Sequence, residues 1–200
     1  MRIGIELNGV LRNTLGKIEQ TYQKFLIDKT EGIEIEDEFK YKINHPIDSL
    51  DLAKHFLFQD SDEMYRFLFE EFPMEIFGHA QSSEYTTFND LNEIYFSQRD
   101  KHELIIVSDE IGKSKPASLF FLSKFGCLFE NVKFYSNSTI FSMWNEIDVL
   151  LTANPDLLLC HPDDKLIIKF ETDYNKEINT MYKINSIKEL ESILNQFVLC

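Results

Sequence analysis

Four short apolar runs in the second half of the chain constrain its fold more than any other feature: residues 104–107, 132–135, 148–151 and 166–170. Leu104-Ile105-Ile106-Val107 is continuously apolar, the pattern of a strand buried on both faces of a parallel sheet. Helical signals separate the runs. Pro116 suits a first helical turn and Gly126 a stop, a short helical segment follows around Ile140 to Trp144, and Asn154-Pro155 opens another. Asp156 then reads as a first-turn acid favoured by the helix dipole. The chain ends in a helix predicted from about Ser186 to Phe197, with Ser186 and Glu189 at capping-box spacing. Strands alternating with helices imply a parallel sheet joined by right-handed crossovers.

One further strand stands apart from these in sequence. Arg2 to Leu7 is a short run with β-branched residues that ends at the turn dipeptide Asn8-Gly9. From about Asn13 the period becomes helical, with Leu15, Ile18, Tyr22, Phe25 and Leu26 at three- and four-residue intervals. Gly32 and the acid cluster Glu34 to Glu38 read as a loop. Three more apolar stripes follow, led by Leu52, Phe67 and Phe88, with Pro73 and Gly78 as punctuation. This stretch is too long for a simple crossover and reads as an inserted helical cap. The predicted organisation is an α/β core of residues 1–12 and 101–200 with a cap of residues 13–100. The site of such a fold lies at the carboxyl ends of the strands, near the switch point of the sheet.

Composition removes several functions. The chain carries 34 acidic against 20 basic residues, a net charge of −14, and no basic run, which excludes a phosphate-backbone binder of nucleic acid. Hydrophobic residues at 44%, including 18 Phe, supply enough apolar surface for a packed core. No stretch approaches the roughly 18 apolar residues of a membrane span, so no membrane partner is expected. Cys127, Cys160 and Cys200 are unpaired in spacing, which points to a reducing, cytoplasmic setting without a structural zinc site. The histidines show no i, i+4 pairing of a zinc hydrolase.

The motifs carry more. Ile3-Gly4-Ile5-Glu6-Leu7-Asn8-Gly9-Val10 resembles the first motif of the haloacid dehalogenase-like (HAD) phosphohydrolase superfamily, in which an apolar strand delivers D-x-D-G. Ile105-Ile106-Val107-Ser108 resembles the second motif, Lys113 or Lys115 the third-motif cation, and Asp148-Val149-Leu150-Leu151-Thr152-Ala153 the fourth. Phe170 to Lys176 is similar to a Pro-Tyr-Asn segment of the small-capped deoxyribonucleotidase branch, with Asp173 in the proline's place. The resemblance implies a three-layer α/β/α Rossmannoid fold with a parallel sheet and an inserted cap. It also assigns roles: position 6 is the nucleophile, position 8 the acid/base, Ser108 with Lys113 or Lys115 the phosphate binders, and positions 152 and 153 the Mg²⁺ carboxylates.

This chain departs from that pattern at three places. Glu6 is one methylene longer than the family's Asp, and a displacement of about an ångström can cost on the order of 100-fold. Asn8 cannot exchange a proton at neutral pH, and loss of acid/base catalysis typically costs about 10² to 10⁴. Thr152 and Ala153 offer no carboxylate to Mg²⁺, a hard cation usually held by one or two of them. The expected function is that of a catalytically degenerate pseudo-phosphatase with a binding or structural role and no cofactor. Two alternatives stand beside it: a weakly active Mg²⁺-dependent nucleotidase-like phosphohydrolase, and a subunit of a larger assembly such as a viral one. The expected partners are a small phosphorylated ligand, a second copy of the chain or an assembly partner, the last two suggested by the Phe67, Phe69, Phe72 and Phe77 group. Asp109 and Glu110 read as a solvated loop, with a substitute metal carboxylate as the alternative.

Overall fold

A computed structural model describes residues 1–30 and 47–197; the acid cluster Glu34 to Glu38 and Cys200 lie outside them. Six strands form one sheet: β1 (Arg2–Glu6), β2 (Glu103–Asp109), β3 (Asn131–Tyr135), β4 (Val149–Thr152), β5 (Leu166–Phe170) and β6 (Tyr182–Ile184). Their order is β3-β2-β1-β4-β5-β6, and every pairing is parallel. After β1 the chain grows the sheet toward β3, then crosses back to lay β4 on the other side of β1. The carboxyl ends of β1 and β4 therefore flank the switch point, where loops diverge and leave a crevice.

Strand residues alternate between two packed layers. Ile3, Ile5, Leu104, Ile106, Leu151 and Ile168 face one core, and Ile105, Val107, Leu150 and Ile167 the other. The first core is covered by α4 (Thr87–Gln98), α5 (Ser114–Lys124) and α8 (Leu190–Phe197). The second is covered by α6 (Ile140–Glu146) and α7 (Pro155–Leu159), through Met143, Trp144, Leu157 and Leu158. The result is a three-layer α/β/α sandwich. Because Phe88, Leu91 and Ile94 of α4 belong to the sheet's own core, packing assigns α4 to the sandwich. The last helix of the cap expected over residues 13–100 thus shares its core with the sheet.

Within the insertion, α1 (Thr14–Thr30), α2 (Leu52–His55) and α3 (Ser61–Arg66) lead into two widened turns, Phe67–Glu71 and Met74–Gly78. These close i→i+5 hydrogen bonds, Phe72 N to Phe67 O at 3.1 Å and His79 N to Met74 O at 2.9 Å, with Pro73 interrupting between them. The Tyr22 ring lies 5.0 Å from Phe56, 4.9 Å from Phe58 and 5.8 Å from Phe67. Phe67 and Phe77 are buried, and Phe69 and Phe72 pack against them. The phenylalanines expected at an intermolecular face therefore build the insertion's own core, at about 1.5–3 kcal/mol for each ring fully buried.

Two local expectations change. Ser186 does not cap the last helix; its hydroxyl donates to Glu84 Oε2 at 3.1 Å, and the helix opens with a tight turn, Ile187–Glu189. β6 is three residues long and becomes a strand by pairing Lys183 and Ile184 with Lys169 and Phe170 of β5. At the start of α7, by contrast, Asn154 caps as a helix-opening Asn should, accepting from Asp156 N at 2.9 Å.

Candidate functional site

The carboxyl end of β1 delivers Glu6 into the switch point with only 2% of its surface exposed. Tyr135, the last residue of β3, donates its hydroxyl to Glu6 Oε1 at 2.9 Å, and the Thr152 hydroxyl, from the end of β4, donates to Oε2. Thr152 Oγ1 in turn accepts from Asn154 N at 2.9 Å. Burial pushes the Glu6 carboxyl up to about 7; the Thr152 and Tyr135 hydrogen bonds pull it down and the charge of Asp109 pushes it further up. Burial, then the charges of Glu6 and Asp109, hold the Tyr135 phenol well above its ordinary value. Both oxygens of the carboxylate at position 6 are thus occupied by hydroxyl donors, one from the adjacent β4 and one from β3, two strands away on the other side.

Two residues on, the chain turns sharply. Gly9 has φ +76°, and a Cβ there would lie 2.5 Å from the Tyr174 hydroxyl and 3.2 Å from the Ala153 methyl. Only glycine meets both conditions. Asn8 Oδ1 accepts from Arg12 Nη2 at 2.5 Å and from Thr14 Oγ1 at 2.7 Å. Its Nδ2 donates to Ser108 Oγ at 3.3 Å. Ser108 passes its own proton on to Glu110 Oε1 at 3.2 Å.

Arg12 and Glu110 organise this network. Both are buried with no exposed side-chain surface, and Arg12 Nη2 meets Glu110 Oε1 at 2.5 Å. Arg12 Nη1 donates to Ser118 Oγ at 2.6 Å and to the Phe77 carbonyl at 2.9 Å, and Nε to Thr14 Oγ1 at 3.1 Å. Ser118 donates to Glu110 at 2.8 Å. The guanidinium also lies 5.1 Å from the Phe77 ring centre and 5.3 Å from that of Phe121. Burial lowers the Arg12 pKa and Glu110 opposes it. Because Phe77 belongs to the insertion and Ser118 to α5, this one cation ties insertion to sandwich.

The other predicted residues fall in two groups. Glu6, Asn8, Ser108 and Thr152 converge on the switch point through the bonds above, and Ala153 is buried beside them against Gly9. Lys113 and Lys115 do not converge: Lys113 Nζ donates to the Glu70 carbonyl at 3.3 Å, and Lys115 Nζ lies 5.9 Å from the Phe134 ring centre. The reason is helical phase. The face of α5 turned inward is Ser114, Ala117, Ser118 and Phe121, which leaves both lysines on the exposed side. Glu110, read as part of a solvated loop, is instead buried and ion-paired; its neighbour Asp109 is exposed. Sequence reasoning gave no role to Arg12, Ser118 or Tyr135. The available signal was a lone Arg in a turn otherwise made of Leu7, Val10 and Leu11.

Above this floor opens a cavity of about 690 Å³. Glu6, Asn8, Gly9, Asp109 and Asn154 line its base, Leu15, Ile18 and Glu19 with the insertion's Leu50, Leu68, Phe69 and Phe77 its roof, and Phe170, Thr172, Asp173 and Tyr174 one side. The loop carrying Tyr174 is pinned by Asn175, which is buried and donates to the carbonyls of Ala153 and Phe170, each at 2.9 Å. This is the Asn of the segment singled out in the sequence.

A 3-2-1-4-5-6 parallel sheet with helices on both faces, an insertion after β1 and a polar cluster at the β1/β4 switch point make a three-layer α/β/α fold of the doubly wound class. Among solved structures, the chain is similar to a haloacid dehalogenase-like family hydrolase from Streptococcus pneumoniae. The TM-score is 0.62 at 12% identity, over 96% of this chain and 97% of that one. A β-phosphoglucomutase from Clostridium difficile gives 0.55 at 13% identity over 100% and 99%, and a hydrolase from Pseudomonas syringae 0.58 at 10% over 98% of both. At such identities the likeness is one of fold. No family model matches the sequence, and no curated protein matches it.

The motif resemblance implies Mg²⁺ at these strand ends, and the donor set here does not suit it. The fourth-motif positions are a hydroxyl committed to Glu6 and a methyl group. The Glu6 and Asn8 oxygens already accept from Tyr135, Thr152, Arg12 and Thr14. Among the described residues no group of three His, Cys, Asp or Glu side chains could hold a metal ion, and a hard cation needs several oxygen ligands.

Proposed function

We propose that this chain is a catalytically degenerate HAD-like protein that binds through its cavity and does not transfer phosphoryl groups. The observation that carries this reading is a pair of hydrogen-bond clusters at the switch point. Glu6 is held by Tyr135 and Thr152, and Asn8 by Arg12, Thr14 and Ser108. An attacking carboxylate needs a free oxygen facing the phosphorus, and an acid/base needs a proton to give; Glu6 lacks the first and Asn8 the second. With no lysine at the floor and no carboxylate at positions 152 and 153, the charge of a phosphoryl group in transfer would go uncompensated.

The test is a phosphate-release assay on the whole chain with para-nitrophenyl phosphate and with a deoxynucleoside monophosphate, each with Mg²⁺. Release at the blank rate is expected. Mg²⁺-dependent turnover that disappears in Glu6→Gln would overturn the reading in favour of a weakly active nucleotidase-like hydrolase.

A further inference from the structure

We propose that the cavity takes a small organic cation, an amine carried on an apolar or aromatic body, in place of a phosphate ester. This rests on the degenerate reading above and names the ligand class of that same site. A volume of about 690 Å³ is that of a small-molecule site. Its walls are mostly hydrocarbon, with Leu50, Leu68, Phe69, Phe77 and Phe170 offering space for an apolar body.

The charged groups at the cavity surface all have one sign. Glu6 and Asp109 stand at the base, Asp173 on the side and Glu19 in the roof, and among the described residues no Lys, Arg or His lines it. Arg12, the nearest cation to the floor in sequence, is sealed beneath it with its donors committed to Asn8, Thr14, Phe77, Ser118 and Glu110. A phosphate ester would bring two negative charges beside those carboxylates, a like-charge repulsion that solvent at the exposed Asp109 and Asp173 reduces and does not reverse. Nor are its usual donors free, since the Asn8 amide already serves Ser108 and the Ser108 hydroxyl serves Glu110. An ammonium group reverses each sign. It gains the exposed Asp109 and Asp173 carboxylates as counter-charges and the Phe69, Phe77 or Phe170 rings as cation–π partners, while its apolar body displaces water from the hydrocarbon walls.

Isothermal titration calorimetry of the whole chain at pH 7.5 tests this with three probes sharing one body: phenylbutylamine, phenylbutanol and phenylbutyl phosphate. The amine is expected to bind about ten-fold or more tightly than the alcohol, a difference of about 1.4 kcal/mol, and the phosphate to give no binding heat. Asp173→Asn, a substitution at an exposed loop position, should weaken the amine several-fold and leave the alcohol unchanged. Equal binding of amine and alcohol, binding of the phosphate as tight as the amine, or no binding of any probe at millimolar concentration overturns the proposal. Adding Mg²⁺ to the phosphate probe separates the two readings. Phosphate binding without phosphate release sinks the ligand class alone; release that Glu6→Gln abolishes sinks the degenerate reading as well.

Discussion

Replacing Glu6 by Gln converts the most perturbed carboxyl of the floor into a permanently neutral group of the same shape. The native carboxyl titrates at about 7 against an ordinary 4.5, chiefly because burial removes water from the charged form. At about 1.4 kcal/mol per pH unit, that difference corresponds to ~3 kcal/mol by which folding disfavours the ionised group. The sign follows from the two protonation states. Below pH 4.5 Glu6 is protonated both folded and unfolded and contributes nothing to the pH dependence. Between 4.5 and 7 the unfolded chain releases the proton while the folded chain keeps it, so stability falls as pH rises. Above 7 both are ionised and the penalty is constant.

The Glu6→Gln variant escapes that slope. Its amide can accept one hydroxyl and donate to the other, as the protonated acid does, so the Tyr135 and Thr152 contacts survive with one hydroxyl reoriented. Urea unfolding followed by the fluorescence of Trp144, the single tryptophan, at intervals from pH 4.5 to 8.5 gives both stabilities. The variant should gain on the parent by ~3 kcal/mol across that window and run parallel to it above pH 8. Titration elsewhere, including that of buried His102, is common to both chains and cancels in the difference. A pH-independent difference, or a parent that gains on the variant as pH rises, would refute the account of a desolvated Glu6.

Arg12→Met removes one half of a fully buried ion pair and should destabilise the chain by about 3–5 kcal/mol in urea, because Glu110 is left charged in the interior. Adding Glu110→Gln should return most of that loss, whereas an additive double variant would mean the pair is not coupled. Gly9→Ala should cost at least the ~1–2 kcal/mol of left-handed backbone in an L-residue, measured by thermal unfolding. Tyr174→Phe in the same chain should recover the steric part and not the backbone part, since the clash is with the hydroxyl. Asn8→Asp restores the family's carboxylate yet loses the donor to Ser108, so it should lower stability by about 1–3 kcal/mol and yield no phosphate release with Mg²⁺. A stable and active Asn8→Asp variant would show that the lesion at position 8 alone silences the site.

The sandwich was legible where a local pattern carries the fold. Leu104–Val107 could only be a doubly buried strand, and β1 announced itself by its apolar run and the Asn8-Gly9 turn. β6 was not legible, because three residues with one lysine have no period; only the exposed edge of β5 makes them a strand. The capping-box spacing at Ser186 misled because Glu84, 102 residues away, offers that hydroxyl an acceptor. The floor of the site divides the same way. Positions 6, 8, 108, 152 and 153 could be placed because each lies at or just beyond a strand's end. The ion pair that fixes Asn8 joins residues 98 apart, and no spacing rule reaches across it.

The substitutions fall into two hydrogen-bonded groups, Asn8 with that long-range pair and Glu6 with Thr152. In a buried circuit each polar group needs its complement, and exchanging one member alone strands another. An Asn at position 8 presents an oxygen to Arg12 and Thr14 and a donor to Ser108, an arrangement no carboxylate can supply. Glu6, being longer than Asp, reaches hydroxyls on both neighbouring sides of the sheet, from β3 through Tyr135 and from β4 through Thr152. A Thr at 152 is then a donor the carboxylate requires, where an Asp would place a second negative charge against it. At positions 6, 8 and 152 the side chains that depart from the resembled motif are therefore the ones that make these hydrogen bonds. Among the described residues, the charged side chains that line the cavity above these strand ends are all acidic.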